Sequence, residues 1–462
     1  MAALFCALLL AYFLIVFRGK MAGGPELAKL LWALYFALGL SAMVVAATDV
    51  LESVYPPNYP SALYLFVCVV MGISGFLSFR ARDISHVLVA IRGQRFIENF
   101  LIVTQLYSMI FFLPFAIMSL SGDANTNRWE IADKMDLLGS YGLLNTVAGA
   151  ASHLFTASLV LACIRMAQPV GGGRSVSRAS MLTLASLSYV VYILAYVGRD
   201  GVVFWLMSAL AVFILFRPYI PHRQRQQIVI TMLGLAAFML LPFVIITVAR
   251  FTDWDHGTAW SVLEYFGRQI STFSDYSSIE RPVTLGLMNF SMFIVAGCSV
   301  VGLPCESWVD LKGIVFDLYL AQGKEPWLFG TYISDFVGDF GFLGAFVLLS
   351  LFALLCHYVC RRGGGHKPLT LSRLLLILFL YLVPYWGVFY FRFSIANGFI
   401  IVNLALVFLV WLLQRVGSTP PRNRRRALLF AVNDGGESRA ARPHTQNPRM
   451  NAFRSRPMSP AA

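Results

Sequence analysis

Charge is what this chain lacks most. Charged residues make up 13% of its 462 positions and hydrophobic residues 58%, where a soluble domain is about a quarter charged. That shortage excludes a water-soluble globule, and the mean hydropathy of +0.70 agrees. A closed membrane barrel is excluded as well. Its strands would read as alternating segments of about ten residues, whereas the apolar runs here continue unbroken for roughly 17–25. Zinc-ligand spacing is missing from the seven cysteines and the histidines. Cys6, Cys68, Cys163 and Cys356 fall inside apolar runs, where cysteine acts as a small hydrophobe. Cys298 and Cys305 share one loop, an arrangement open to a disulfide in an oxidising compartment. Gly171-Gly172-Gly173 lacks the following Lys-Ser/Thr of a phosphate loop and reads as a linker; the lone His153 reads as a packed helix residue. No internal repeat is found, which counts against the inverted-repeat transporter folds.

What is present is a series of hydrophobic runs. Eleven read as membrane spans: residues 2–17, 28–48, 62–79, 99–121, 141–166, 180–197, 201–216, 228–248, 340–359, 371–391 and 397–413. The expected fold is therefore all-α, a polytopic integral membrane protein of about eleven transmembrane helices with one large extracytoplasmic loop. The first run has no basic stretch before it, and Arg18 and Lys20 follow it directly. It reads as an outside-to-inside anchor, not a cleaved signal peptide. An odd number of crossings then puts the N-terminus outside and the C-terminus inside.

The connections test that topology, because Lys and Arg concentrate on the cytoplasmic side. Expected inner connections carry Arg80, Arg82, Arg92 and Arg95, then Arg165, Arg174 and Arg178, then Arg217, Arg223 and Arg225, then Arg361, Arg362, Lys367 and Arg373. Expected outer ones carry Asp49 and Glu52, then Asp123, Glu130, Asp133 and Asp136. The alternation holds along the chain. Two regions result: a transmembrane domain, 1–415, and a basic cytoplasmic tail, 416–462. The tail is rich in Arg, Pro and Ser and is expected to be disordered. It nearly lacks aromatics, so no stacking platform for nucleic acid is offered; its charge suits a stop-transfer flank against anionic lipid.

One outer connection, residues 249–339, is far longer than an ordinary loop. It holds Arg250, Trp254, His256, Glu264, Tyr265, Arg268, Asp275 and Arg281, and it closes with Asp335 and Asp339. Its stretch 284–303 is nearly uncharged. A crossing there would invert every later connection, so it reads as a dipping or surface-lying segment. Arg199, Arg250, Arg268 and Arg281 all stand on an otherwise acidic face, which suits an anionic ligand such as a lipid-linked phosphate. Rings of Tyr and Trp stack on sugar faces, and carboxylates accept from sugar hydroxyls. The competing reading is an interfacial aromatic belt with charge-paired loops.

Three short motifs carry a family resemblance. A Gly198-Arg199-Asp200-Gly201 turn opens a hydrophobic span, and Tyr265-Phe266-Gly267 lies in the large loop. Residues 331–344 read Thr-x-x-x-Asp-Phe-x-x-Asp-Phe-Gly-x-x-Gly. With the span count, this resembles the bacterial oligosaccharide repeat-unit polymerases, the Wzy-type O-antigen polymerases.

The resemblance implies a glycosyltransferase of the bacterial inner membrane. It would join undecaprenyl-diphosphate-linked oligosaccharides into a surface polysaccharide at the periplasmic face, beside a flippase and a chain-length regulator. Related ligases are expected to carry a functional histidine near the loop's end. Here Asp335 and Asp339 stand there, so polymerase is favoured over ligase. The chemistry needs neither metal nor cofactor, because the leaving diphosphate is already on the lipid. Arg268 would stabilise its developing charge, with Arg199, Arg250, Arg281, Tyr265, Glu264 and Asp275 binding substrate. Asp339, and next Asp335, would take the proton of the attacking hydroxyl; a helix cap is the alternative role for Asp339. A flippase is the other reading, and it would need charges inside spans.

Overall fold

Hydrocarbon-length apolar runs must satisfy their own backbone amides, and here they do so as helices. The computed structural model describes residues 1–18, 25–47, 58–87, 93–121, 141–168, 172–196, 198, 200–251, 266–279, 283–302, 308–323, 330–361, 369–394 and 397–416. Side chains are described for all of these except 82, 85, 86, 120, 121, 172–175, 238–251 and 308–312. Among the described residues every regular element is helical. In chain order α1 is Ala2–Phe17, α2 Glu26–Ala46, α3 Tyr59–Ser74, α4 Gln94–Ser121, α5 Leu143–Ser152 and α6 Phe155–Ala167. Then come α7 (Gly172–Ser186), α8 (Ser188–Ala195), α9 (Asp200–Phe216), α10 (His222–Phe251) and α11 (Gln269–Ser277). The chain continues with α12 (Ser291–Val301), α13 (Trp308–Ala321), α14 (Thr331–Cys360), α15 (Leu371–Trp386) and α16 (Gly398–Val416). Among the described residues, 6 helical stretches are long and apolar enough to cross a membrane, up to 7 when the pair α5–α6, bent by 41°, is taken as one span.

One set of helix ends is gathered by arginines. Glu98 of α4 is fully buried and accepts from Arg165 Nε at 2.6 Å and Arg178 Nη1 at 3.1 Å. This ties α4, α6 and α7 together, the bidentate Arg165 fork satisfying a carboxylate that would otherwise be costly to bury. Nearby ends are joined by Ala81 N donating to Glu26 Oε2 at 2.9 Å and by Tyr219 Oη donating to Ala81 O at 3.1 Å. Arg373 Nε donates to Val359 O at 2.6 Å, linking α15 to the end of α14. At the end of α15, Trp386 packs against Phe155 and Tyr189, which stack on each other at 4.4 Å, and its indole N–H reaches Ser208 Oγ at 3.2 Å. Trp205 donates likewise to Ser186 Oγ at 2.9 Å. Each buried indole thus keeps its one polar atom bonded.

The opposite ends meet around α11 and the start of α14. Ser61 and Ser277 share a hydrogen bond of 2.8 Å, and Tyr64 Oη donates to Phe342 O at 2.7 Å. The long connection is not a bare loop. α10 runs on to Phe251, and α11, α12 and α13 follow, with Tyr276, Ile279, Val315 and Tyr319 forming a small core of their own. The span expected to begin at residue 340 is the second segment of α14, whose first begins at Thr331. The two are separated at Gly341, where φ is +69° and ψ 173°. Glycine reaches that conformation without a Cβ clash.

Candidate functional site

All three sequence motifs converge on one short segment, the connector 387–394 between α15 and α16. The backbone N–H groups of Thr331 and Tyr332 donate to Phe389 O at 3.0 Å and Gly387 O at 2.8 Å. The Asp335 carboxylate accepts from Phe391 N at 2.6 Å. The Phe266 ring, next to the start of α11, lies 5.4 Å from that of Phe389. From the other side Asp200, in the first turn of α9, meets Arg392 at 3.3 Å. The connector is therefore where the Gly-Arg-Asp-Gly turn, the Tyr-Phe-Gly segment and the Thr-to-Gly motif are held together.

Arg392 is the centre of this arrangement. Its guanidinium donates to Tyr390 Oη at 2.9 Å and Tyr189 Oη at 3.4 Å, and it lies 5.9 Å from the Phe204 ring. Tyr390 Oη in turn donates to Asp200 Oδ2. Burial opposes the Arg392 charge, yet the Asp200 carboxylate and the neighbouring phenols more than offset it, holding the guanidinium pKa above its ordinary value. The Arg392 side chain is 10% exposed and that of Asp200 31%. The pair is thus walled by aromatics on one side and open through Asp200 on the other.

The glycines of two motifs are there for close approach. A Cβ on Gly198 or Gly201 would come within 2.6 Å of the Ile193 side chain, so the turn into α9 folds tightly against α8 only with glycine at both places. A Cβ on Gly267 would meet Ser41 O at 2.8 Å and Val45 Cγ2 at 2.6 Å, which is how the Arg268 segment lies flush on the end of α2. Thr331 carries backbone strain: φ is +75° in a β-branched residue, a conformation such residues avoid. Its hydroxyl and that of Thr272 are buried without a hydrogen-bond partner. A Cβ on Gly330 would lie 3.5 Å from Phe273 N, so both hydroxyls belong to the α11–α14 junction beside Arg268.

Asp339 does something different. It is fully buried, and its Oδ1 accepts from Thr284 Oγ1, Gly286 N at 2.9 Å and Met288 N at 3.4 Å; Oδ2 accepts from Asn289 N at 3.0 Å. Its carbonyl accepts from Thr284 N and Leu285 N. It caps no turn of α14; it anchors the turn 283–290. Of the other expected site residues, Asp275 is buried within α11 and Arg268 is the residue before that helix. Arg250 lies in α10, where only backbone is described, and Arg199, Glu264, Tyr265 and Arg281 lie outside the described residues. Cys298 is disulfide-bonded, its partner lying outside the described residues. Arg392 and Thr331 are additions to the expected set. The signal for Arg392 was a further arginine on an expected outer connection. No group of His, Cys, Asp or Glu among the described residues is arranged to hold a metal ion. Comparison of the chain with protein-family models, curated proteins and solved structures finds no match.

Proposed function

We propose that the protein is an integral membrane glycosyltransferase that polymerises undecaprenyl-diphosphate-linked oligosaccharide repeat units on the extracytoplasmic side of a bacterial inner membrane. Eleven crossings follow when α1, α3, α10 and α15 are added to the 6 long stretches and the bent pair. The N-terminus then lies outside, and the arginine-gathered ends around Glu98 face the cytoplasm. The ends holding Arg392, Asp200 and Arg268 face outward, and a disulfide at Cys298 suits that oxidising side.

The observation that carries the reading is the aromatic-walled Arg392–Asp200 pair on a connector that also holds Asp335 and the Arg268 segment. Breaking the anomeric C–O bond leaves charge on a departing diphosphate. Arginines fixed before the reaction stabilise that charge without reorganising. Planar guanidinium forks suit diphosphate oxygens, and Tyr and Phe rings suit sugar faces. The proton of the attacking hydroxyl needs an accessible carboxylate. Asp335 and Asp200 stand at the connector, whereas the Asp339 oxygens are engaged by the turn they anchor. A chain-length regulator and a flippase are the partners this activity needs. A flippase reading would ask for charge along a transverse path, and the fully buried Glu98 sits instead near a helix start with two arginines. Deleting the gene separates the two. Loss of a polymerase leaves single repeat units displayed, and loss of a flippase leaves none.

A further inference from the structure

α12 (Ser291–Val301) is apolar apart from Ser291, Ser299 and the disulfide-bonded Cys298, yet none of its residues is buried. Val300 is 88% exposed, Val301 71% and Met292 50%. An amphipathic helix would cover one face with protein and wet the other; this one has no face for water. Its polar atoms are turned inward. Asn397 Oδ1 accepts from Met292 N at 3.1 Å, and Phe290 O accepts from Phe293 N and Ile294 N, so amides of the helix N-terminus are bonded. Ser299 Oγ donates to Val295 O at 2.8 Å, and Gly302, at φ +74°, closes the other end by donating to Cys298 O. That internal satisfaction is what a helix in hydrocarbon requires.

Two further observations say what covers it. The helix leaves the bundle from a rigid polar mount. Asn397 Nδ2 donates to Asn289 O at 2.9 Å, Asn289 Nδ2 to Asp335 O at 3.0 Å, and Asp339 grips the turn 283–290. Beside it, Ile294 and Phe340 close around Gly286. The exposed apolar surface of α14 continues from there through Leu343, Phe346 and Val347. At 1.5 Å per residue its 11 residues span about 16 Å, roughly half the hydrocarbon core.

We propose that α12 is a half-length helix immersed in one leaflet of the bilayer, with lipid acyl chains covering all its free faces. This rests on the membrane-spanning reading of the long helices and is independent of the glycosyltransferase reading. The test is collision accessibility of a spin label at Val300→Cys and, separately, Val301→Cys, in the full-length protein in phosphatidylcholine vesicles. The parent protein taken through the same labelling supplies the background. Oxygen, which concentrates in lipid, should relax both labels more than a water-soluble nickel chelate does. An excess of nickel collisions at either position would put the helix in water. Relaxation by neither would mean it packs against protein, a second copy included. Either result overturns the proposal, and if one variant fails to fold the other decides alone.

Discussion

Arg392 shows how a single side chain organises the candidate site. It is held by Asp200, Tyr390 and Tyr189, so its position is set before any ligand arrives. Arg392→Ala should lower the rate of chain extension by about 10²-fold, the usual scale for losing one preorganised donor to a developing anion. Arg392→Lys should also be damaging, since a point charge cannot reproduce the fork. Extension assays on membranes with equal protein levels check both. Asp339 makes a contrasting prediction. Asp339→Ala strands three buried amides, each worth about 1–3 kcal/mol when left unpaired. Thermal unfolding in detergent should show a clear loss of stability. Asp339→Asn should fall between Ala and the parent, because one of its positions becomes an N–H facing another N–H. A parent-like melting curve for Asp339→Ala would remove its anchoring role. Asp339's partners were illegible in the sequence because backbone amides some fifty residues upstream carry no side-chain signature. Arg392 was overlooked because it is one arginine in a short aromatic connector, and its carboxylate partner arrives from a distant helix.

At the scale of elements, the helices were legible and their joints less so. Hydrocarbon thickness dictates run length, so α1, α2, α4, α9 and α16 stand within a few residues of the expected spans. The start of α14 was hidden because residues 331–339 mix polar and apolar side chains and look like loop, though they continue a helix up to the break at Gly341. The motif glycines were visible as punctuation, but their purpose, close approach to Ile193 and to Ser41, belongs to packing alone. Gly201→Ala should therefore cost about 1–3 kcal/mol through overpacking against Ile193. It should also move Asp200 away from Arg392. Pairing Gly201→Ala with Ile193→Gly, which also removes the Cβ that would stand 2.6 Å away, makes room again, so the double variant should recover much of the activity that the single one loses. No recovery would mean the turn is not held by that contact.

For the whole molecule, the two sets of helix ends differ in charge. One gathers Arg165, Arg178 and Arg373 around buried acceptors, and the other sets Arg392 and Arg268 among Asp200, Asp275 and Asp335. That asymmetry carries the proposed orientation, and a cysteine at Gly257 should react with an impermeant thiol reagent added from the periplasmic side. Labelling only from the cytoplasm would reverse the topology and with it the placing of the site. The central claim is tested most directly by reconstituting the purified protein in liposomes with undecaprenyl-diphosphate-linked repeat units and resolving the products by chain length. Multi-unit lipid-linked glycans should appear with the parent protein, without added metal or nucleotide sugar, and should be lost with Arg268→Ala and Arg392→Ala. Products that stay at one repeat unit with the parent protein, or ladders unchanged in both variants, would contradict the account.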